Sequence, residues 1–543
     1  MRLKIRVAAW ERRCTRILWT IVFSFTASLC AGATIGINVA GLSQPNTTAQ
    51  EPDISGAAGP SSYAEFVNGA FGVFNNSTGV IRSQTTDQTF WQNAGISASA
   101  LSDGASNPRL IYDPNSARWF ATEITNTSSG NKILLAASSS SDPTSTPGSW
   151  SAISFPAAQA HNEFSYGDFP TLGLDANGVY IAVDNYNGPP QQGADYNNTS
   201  SLFSIPKADL ISKTPAITNM TAFYGQNYES LGYILQPVID FNPIKSKAVV
   251  VADNYDPLGA MGAINRFNII GTTASGATLS STQTTQLTQY AYPPSPRQPN
   301  GSGGFSIKPG ISIPDDRYAS SAYQIGNLIY TVHTVGLPAD AVAPSSCAIQ
   351  WSVLRLTSED KTELVQQGMI TDSNHDYFNP SISANAAGDV VIGYNRSGPN
   401  ASDGMILSFV AVGSTSNGTI SFGSSVQLST TTVTGFHNSS GLWGDYSSMS
   451  PDPSNPSIFW FAQEIPLASS AGLTTGDTWG TEITEIVVPE PKLFVWILAV
   501  VLIAGRRRFC ESHRFDSTGI IDAAGAPLTP PGRWIPDTDP ESH

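Results

Sequence analysis

The stretch NPRLIYDPNSARWFATEI, residues 107–124, sets the pattern on which the fold of this 543-residue chain depends. It reads as a proline-marked apolar strand, a polar turn and a second apolar strand, which is the period-2 pattern of a β-hairpin. Related hairpins begin at residues 169, 236, 317, 379 and 445. Their reference positions are 62 to 81 residues apart in the chain and are Pro108, Pro170, Pro237, Tyr318, Pro380 and Tyr446.

A third strand-like segment follows each hairpin, at residues 132–140, 201–210, 263–271, 348–356, 405–413 and 481–488. Three or four antiparallel strands repeated six times predict a β-propeller, whereas a two-sheet sandwich would not repeat one motif at this period. Residues 63–85 have the same hairpin rhythm and predict a seventh blade. A six-bladed ring closed by that piece is the alternative. The predicted fold is therefore all-β, with the propeller at 61–488 and a disordered linker at 34–60.

The composition agrees with an all-β extracellular body. Charged residues are only 13% of the chain, while hydrophobic residues are 40% and aromatic residues 10%, enough for a packed core. Between residues 34 and 488 there are 34 acidic and 15 basic residues, a balance that repels phosphate backbones and excludes nucleic acid as a partner. This body contains a single cysteine, Cys347, so it can form no internal disulfide.

The first 33 residues have the features of a secretory signal. Six basic residues precede an apolar run at 17–29, and Ala31 and Ala33 supply the small residues that signal peptidase reads. Signal peptidase is therefore an expected partner, and an uncleaved N-terminal anchor is the alternative.

The other end of the chain carries a second targeting pattern. Pro489, Glu490 and Pro491 precede an apolar run at 493–504, which is followed by Arg506, Arg507 and Arg508. This order resembles the PEP-CTERM sorting signal of Gram-negative bacteria. The resemblance implies recognition by an exosortase-type protease, membrane contact through residues 493–505, and delivery to the cell surface or its extracellular polysaccharide. An ordinary single-pass anchor is the alternative. Residues 509–543 extend beyond the family pattern and are predicted to be a disordered tail.

The body also resembles exported propellers of the sialidase-like, or BNR-repeat, type. The segment SSDPTSTPGSW, residues 140–150, is similar to the Asp box that caps a blade hairpin in such proteins. The resemblance implies that a catalytic version would need an arginine clamp for a carboxylate, a Tyr–Glu nucleophile pair and an acid/base carboxylate. The candidates are Arg109, Arg317, Arg396, Glu163, Tyr446 and Asp445.

In a propeller the first strand of each blade lines the central channel, so residues at its entrance converge. The repeats nominate Asn107, Asp168, Gln236, Asp316, Asn379 and Asp445, and the preceding loops add His161, Glu163, His375, Asp376 and His437. We interpret the Asp and Asn residues as turn caps and predict no resident cofactor. The alternative is that their oxygen atoms hold a hard cation such as Ca²⁺.

No HExxH, CxxC, phosphate-binding glycine loop or nucleophile elbow occurs in the sequence. The prediction is an exported binding or scaffold module at the cell surface or in the extracellular matrix, with a surface glycan as a possible partner. A sialidase-like glycoside hydrolase and a passive matrix component are the alternatives.

Overall fold

The structure, a computed structural model, describes residues 33–488 apart from residues 48, 129, 159–165, 190–195, 245–246, 255–260, 300–304, 307–310, 312, 314, 342, 399–406, 417, 430–441 and 468–477. The sorting signal, the tail and all but the last residue of the predicted signal peptide lie outside this part of the chain. The described residues belong to one compact unit.

Seven antiparallel sheets of four or five strands each form one blade of a propeller in the described chain. The first strand to appear is β1 (Thr34–Ser43), which belongs to the last blade. Blade 1 consists of β2 (Ser55–Ala58), β3 (Ser62–Val67), β4 (Ala70–Asn75) and β5 (Ile81–Thr86). Blade 2 consists of β6 (Ala105–Asp113), β7 (Arg118–Thr125), β8 (Lys132–Ser138) and β9 (Trp150–Pro156). Blade 3 consists of β10 (Tyr166–Leu174), β11 (Gly178–Tyr186), β12 (Tyr196–Pro206) and β13 (Thr221–Asn227).

The later blades have the same order, with small irregularities in the outer strands. Blade 4 consists of β14 (Tyr233–Pro237), β15 (Lys247–Asp253), β16 (Ala263–Ile270) and two short outer strands, β17 (Thr278–Leu279) and β18 (Gln283–Gln286). A separate ribbon follows, formed by β19 (Gln298–Pro299) and β20 (Phe305–Ser306). Blade 5 consists of β21 (Tyr323–Ile325), β22 (Leu328–Leu337), β23 (Ser346–Leu356) and β24 (Thr362–Ile370). Blade 6 consists of β25 (Asp376–Ala384), β26 (Asp389–Ser397), β27 (Leu407–Ser416), β28 (Thr419–Phe422) and β29 (Val426–Gln427). Blade 7 consists of β30 (Ser448–Pro451), β31 (Ile458–Leu467), β32 (Thr478–Val487) and β1.

Helical structure in the described chain is limited to short connections. Three α-helices are α1 (Asp87–Asn93), α2 (Lys207–Leu210) and α3 (Tyr228–Leu231), and two 3₁₀ turns are Gln44–Asn46 and Ala98–Leu101. Among the described residues, no helix is both long enough and apolar enough to cross a membrane.

Each blade contacts the next through its innermost strand or the residues beside it, so the seven sheets surround one axis. One contact per neighbouring pair shows this: Leu110 N to Ser55 Oγ, Arg109 Nε to Pro170 O, Thr171 Oγ1 to Leu235 O, the parallel bridge of Ile239 with Tyr323, Ser320 Oγ to Pro380 O, Ser447 Oγ to Asn379 O, and Ala58 N to Ser450 Oγ. The prolines that marked the repeats therefore lie around a shared axis.

The repeat pattern predicted the strands well. The six hairpins are the first two strands of blades 2 to 7, and the six following segments supply β8, β12, β16, β23, β27 and β32. Residues 63–85 lie in β3, β4 and β5 of blade 1. Seven blades are confirmed, and the six-bladed alternative is excluded. The segment resembling an Asp box is the hairpin between β8 and β9, where the Trp150 indole N–H donates to Pro143 O.

The linker predicted at residues 34–60 is corrected by the structure. Residues 34–43 form β1, which pairs with β32 from Thr34 opposite Val487 to Ser43 opposite Gly480, and residues 55–58 form the innermost strand of blade 1. The alternating pattern TIGINVAGLS is only half buried, so it has a weak apolar signal. Its strand character depends on a partner more than 430 residues away.

Apolar packing lies between the blades. Seven hydrophobic clusters each join two neighbouring sheets, such as Phe120 and Phe203 between blades 2 and 3, or Tyr63 and Trp460 between blades 1 and 7. Each sheet is thus apolar on both faces, and each face is removed from water only by a neighbour. An open ring would expose two faces.

The seam between β1 and its neighbours contains a buried carboxylate. Glu65 on β3 is fully buried and accepts a hydrogen bond from Leu42 N at 2.8 Å, while Thr481 Oγ1 donates to Leu42 O. A side chain on Gly41 would collide with Thr481 Oγ1 and Glu65 Oε2, so glycine is required there. Burial raises the pKa of Glu65 from 4.5 to about 7, against the opposing hydrogen bonds from Thr481 and Leu42.

We predict that Glu65 makes folding less favourable as pH rises. A carboxyl group whose pKa is higher in the folded state loses stability between its unfolded pKa of 4.5 and its folded pKa of about 7. Glu65→Gln keeps an acceptor for Leu42 N without the charge. In urea unfolding, the difference in unfolding free energy between the variant and the wild type should grow in the variant's favour by about 3 kcal/mol from pH 4 to pH 8. A difference that stays constant across this range would contradict the assignment.

Candidate functional site

Residues nominated from the repeats gather at the end of the ring where the innermost strands begin, which we call the axial mouth. Asn107, Asp168 and Asn379 lie within the first four residues of β6, β10 and β25, and Asp316 and Asp445 lie in the segments that lead into the innermost strands of blades 5 and 7. Gln236 lies deeper, with its amide N–H donated to Pro237 O. His161, Glu163 and His437 lie outside the described residues.

Two further nominated residues have local structural roles. Asp376 is fully buried and accepts from the backbone and guanidinium of Arg297 and from Cys347 N. The His375 Nδ1 lies 2.7 Å from Asp372 Oδ2 in the same turn. The Asp376 carboxylate therefore ties the start of β25 to Arg297 and to β23, and His375 is paired within the loop that leads into β25.

The backbone at the axial mouth is unusual in the same way in several blades. Asp53, Asn107, Phe169, Ile234 and Asn379 all have φ between 45° and 59°. In β6, β10, β14 and β25 this residue sits at a break in register with the second strand, as expected for a β-bulge. Left-handed backbone is tolerated by Asn but costs about 1–3 kcal/mol for a residue such as Phe or Ile. The repeated bulge turns the strand starts towards the axis.

Three carboxylates form the centre of the axial mouth. Glu51, Asp53 and Asp445 each offer an oxygen atom, and these atoms all lie within 4.8 Å of one another. Asp53 is almost completely buried and accepts from Asp445 N at 2.7 Å and from the side-chain amides of Asn68 and Asn107 at 2.8 and 3.3 Å. Backbone and amide donors therefore orient Asp53 without neutralising it.

Two more carboxylates approach this group. Glu464 is 1% exposed, and its Oε2 accepts from Gly444 N at 2.7 Å. Among the described residues, Glu464 Oε1 and Asp168 Oδ1 have no hydrogen-bond partner although both atoms are buried. A Cβ atom added to Gly444 would lie 2.9 Å from Asp53 N and 3.1 Å from Glu464 Oε2, so these two acids flank the same small residue. We call Glu51, Asp53, Asp445 and Glu464 the seam carboxylates.

Burial dominates the electrostatics of these groups. It raises the pKa of Asp445 to about 8, with a further rise from Asp53 and Asp168 and an opposing effect of Arg317. It raises the pKa of Asp168 to about 6, and it raises those of Glu51 and Glu464 well above their ordinary values. Crowded carboxylates with little water around them resist ionisation together.

Two arginines lie at the same level as the axis. The guanidinium of Arg109 donates to Pro170 O and to Ala319 O across the ring, and it stacks 3.3 Å above the centroid of the Tyr446 ring. Arg317 forms a two-bond ion pair with Asp315 and lies 4.3 Å from the centroid of Phe169. Both guanidinium groups thus join blades to one another.

The arrangement that a sialidase-like enzyme needs is not assembled among the described residues. Arg396 lies on the second strand of blade 6, over the ring of Phe409, and not beside Arg109 and Arg317. The Tyr446 hydroxyl donates to Pro108 O, so its partner is a backbone carbonyl and not a glutamate. The repeat pattern predicted that Arg109, Arg317 and Tyr446 lie near the innermost strands, but it did not predict which groups their side chains contact.

A second acidic pair lies between blades 4 and 5. Asp253 and Asp316 share a hydrogen bond, and burial followed by charge repulsion raises the pKa of both, that of Asp316 to about 7. Tyr290 donates to Asp253 at 2.8 Å, and His333 Nδ1 lies 2.6 Å from Asp316 O. Sequence analysis nominated only Asp316 of this group, because Asp253 ends a second strand and meets it only in the folded ring.

Beyond Arg109 the axis opens into a cavity of about 220 Å³. Its walls are largely apolar and come from the innermost strands, with Tyr112, Phe241, Tyr323 and Met449 among them. Arg109 and Tyr446 separate this cavity from the carboxylates, because their hydrogen bonds cross the axis between blades 2, 5 and 7. Among the described residues, the acidic axial mouth and the apolar cavity are therefore separate regions of the axis.

No family model matches the sequence, and no curated protein matches it. Solved structures with a similar fold include Drosophila Semaphorin 1a, extracellular domains 1–2, at 7% identity, covering 84% of this chain and 89% of that chain with a TM-score of 0.39. The exo-β-1,3-galactanase 1,3Gal43A from Clostridium thermocellum has 9% identity, covering 83% of this chain and 100% of that chain with a TM-score of 0.30. An exo-1,5-α-L-arabinanase from a bovine ruminal metagenomic library has 12% identity, covering 57% and 95%, with a TM-score of 0.28. Such scores carry no argument about ligand or activity, and the seven-bladed ring rests on this chain's own strand pairing.

Glu51, Asp53, Asn68 and Glu464 are site residues that were not predicted from the sequence. Glu51, Asp53 and Asn68 belong to the N-terminal segment and blade 1, which lack the proline marker, and Glu464 lies near the end of the second strand of its repeat. A signal for Glu464 was available in the repeats, since Glu464, Asp184 and Asp253 occupy equivalent positions near the ends of second strands. Acids at that repeat position lie near the axial mouth.

We predict that Arg109 is structural. Arg109→Met removes the donors to Pro170 O and Ala319 O and the contact with Tyr446, so unfolding free energy in urea should fall by about 2–4 kcal/mol. Arg355→Met is the matched control, because that side chain is 47% exposed and should change stability by less than about 0.5 kcal/mol. An Arg109→Met protein as stable as the wild type would contradict the structural role of this side chain.

Proposed function

We propose that this chain is an exported propeller whose axial mouth binds a ligand at the cell surface or in the extracellular matrix. The observation that carries the proposal is the convergence of acidic side chains from several blades on the axial mouth. Asp168 and Asp445 there are half-buried, whereas Asp53 and Glu464 beside them are almost completely buried. Polar groups gathered in a concave site from several elements are the usual form of a binding site.

The acidic side chains of the axial mouth limit the kind of ligand that can bind there. Carboxylates accept hydrogen bonds from hydroxyl or ammonium groups and repel carboxylate and phosphate groups. Arg109 and Arg317, which would attract an acidic sugar, are engaged with backbone carbonyls and with Asp315. A neutral or amino-bearing surface glycan therefore fits this site better than sialic acid or nucleic acid.

These contacts also favour binding over hydrolysis. A sialidase-like reaction needs free guanidinium groups and a tyrosine paired with a glutamate, and the described residues use Arg109, Arg317 and Tyr446 for contacts between blades. The raised pKa of Asp445, about 8, is nevertheless the property of a general acid. Glycoside hydrolysis is therefore kept as the second candidate function.

The two terminal segments support the cellular part of the proposal. A signal peptide ending near Ala31 and Ala33 would bring the body out of the cytoplasm, and a Pro489–Glu490–Pro491 motif followed by arginines would retain it at the membrane for an exosortase-type protease. The body is acidic and can form no internal disulfide, so its fold does not depend on the redox state of the surroundings.

Binding is tested on an array of neutral, amino and acidic glycans with the protein in saturating CaCl₂. We expect signals on neutral or amino glycans, and Asp168→Asn should weaken them about tenfold, since one hydrogen-bonded charge is worth roughly 1.5 kcal/mol. Asp103→Asn changes an exposed acid elsewhere and should bind as the wild type does. Preference for sialylated glycans would contradict the proposal, and release of reducing sugar that depends on Asp445 would replace it with the hydrolase.

Sorting is tested by deleting residues 489–508 and following the protein in cell fractions. The wild type should be found in the envelope or on the surface, and the deletion variant should be released to the medium. Changing Arg506, Arg507 and Arg508 together to Gln leaves the apolar run intact. This variant therefore tests whether sorting needs the arginines or only hydrophobic anchoring. Envelope retention that is unchanged in the deletion variant would count against a sorting role.

A further inference from the structure

The seam carboxylates come from the two ends of the propeller. Glu51 and Asp53 lie in the connection from β1 to β2, whereas Asp445 precedes β30 and Glu464 lies in β31. They meet where blade 1 closes against blade 7, beside the hydrogen bond from Ile54 N to Tyr446 O. The ring therefore closes at a point where four carboxyl groups lie close together.

The positive charge near the seam carboxylates does not balance their number. Glu51, Asp53 and Asp445 face one another, and Asp168 and Glu464 are near enough for their charges to raise the pKa of Glu51 beyond the effect of burial. Arg109 is the nearby cation that opposes the pKa rise of Asp53, and Arg317 is held by Asp315. Even with both guanidinium groups counted, the carboxylates are in clear excess.

A buried oxygen atom without a donor provides independent evidence for a ligand. Glu464 is 99% buried, yet among the described residues its Oε1 receives no hydrogen bond. Its other oxygen is fixed by Gly444 N, next to the Asp445 N–H that binds Asp53. A buried carboxylate oxygen left unpaired is costly, and a cation would satisfy it.

The donor atoms identify the class of cation. Every candidate ligand is a carboxylate oxygen, and the side-chain amides of Asn68 and Asn107 orient one of them from behind. Neither histidine nor cysteine belongs to the described group. Several protein oxygens around one point suit Ca²⁺, while Mg²⁺ prefers few protein ligands and more water.

We propose that Glu51, Asp53 and Asp445, with Glu464 beside them, form a Ca²⁺ site that fastens the first blade of the propeller to the last. The ion would neutralise the seam carboxylates and fill the coordination of Glu464 Oε1. This inference does not depend on glycan binding, since a structural ion stabilises the ring whatever the axial mouth recognises.

The test is calorimetric titration of CaCl₂ into the chelator-treated full-length protein, with thermal unfolding measured in parallel. We expect one ion per chain and a rise in Tm of about 3 °C or more at one hundred times the dissociation constant. MgCl₂ at the same concentration should give a much smaller shift. In EDTA, hydrogen exchange should increase first in β1 and β32, the strands of the seam.

Asp445→Asn and Glu464→Gln should each lose Ca²⁺ binding by at least tenfold. Because each removes a buried like charge, neither should lower Tm in EDTA, which separates loss of the site from loss of the fold. Asp103→Asn should bind Ca²⁺ as the wild type does. The proposal is overturned if the wild type shows no titration heat and no Tm shift, if it binds Mg²⁺ in preference, or if both variants keep the Ca²⁺-dependent shift.

Discussion

Closure of the ring by the ladder between β1 and β32 is the constraint on which the rest of the structure depends. Each of the seven sheets is apolar on both faces, and each interface between neighbouring blades has its own hydrophobic cluster. If the ring were open, one interface would be lost outright and the two faces beside it would meet water. The chain solves this problem by using its first strand as the last strand of blade 7.

Closure also concentrates charge. Converging strand starts bring acids from several blades to one axis, and the left-handed residues Asn107, Phe169 and Asn379 turn those starts inwards. Arg109 and Arg317 compensate part of the charge and tie the blades together across the axis. The same residues therefore serve the packing of the ring and the electrostatics of its axial mouth, which is why a site and a seam coincide in this protein.

The use of the arginines also bears on function. Arg109 is buried and donates to carbonyls of two other blades, so it is held within the ring and is not presented to a substrate carboxylate. What remains near the axis for a ligand is the half-buried pair Asp168 and Asp445, whose carboxyl groups can hydrogen-bond. The proposed preference for hydroxyl, ammonium or metal partners rests on these acids and not on the shape of the fold.

Local pattern was enough to determine the blades, because a hairpin and its third strand are built from neighbouring residues whose period-2 alternation is visible in the sequence. It was also enough to place Asp168, Asp316 and Asp445 near the axis, since each lies shortly before a repeat's reference position. Only the tertiary structure decided that residues 34–43 are a strand, that Glu51 and Glu464 join Asp53 and Asp445, and that Arg396 stays away from Arg109. Those facts depend on contacts between residues up to several hundred positions apart, and they arise from closing the ring, which no local alternation encodes.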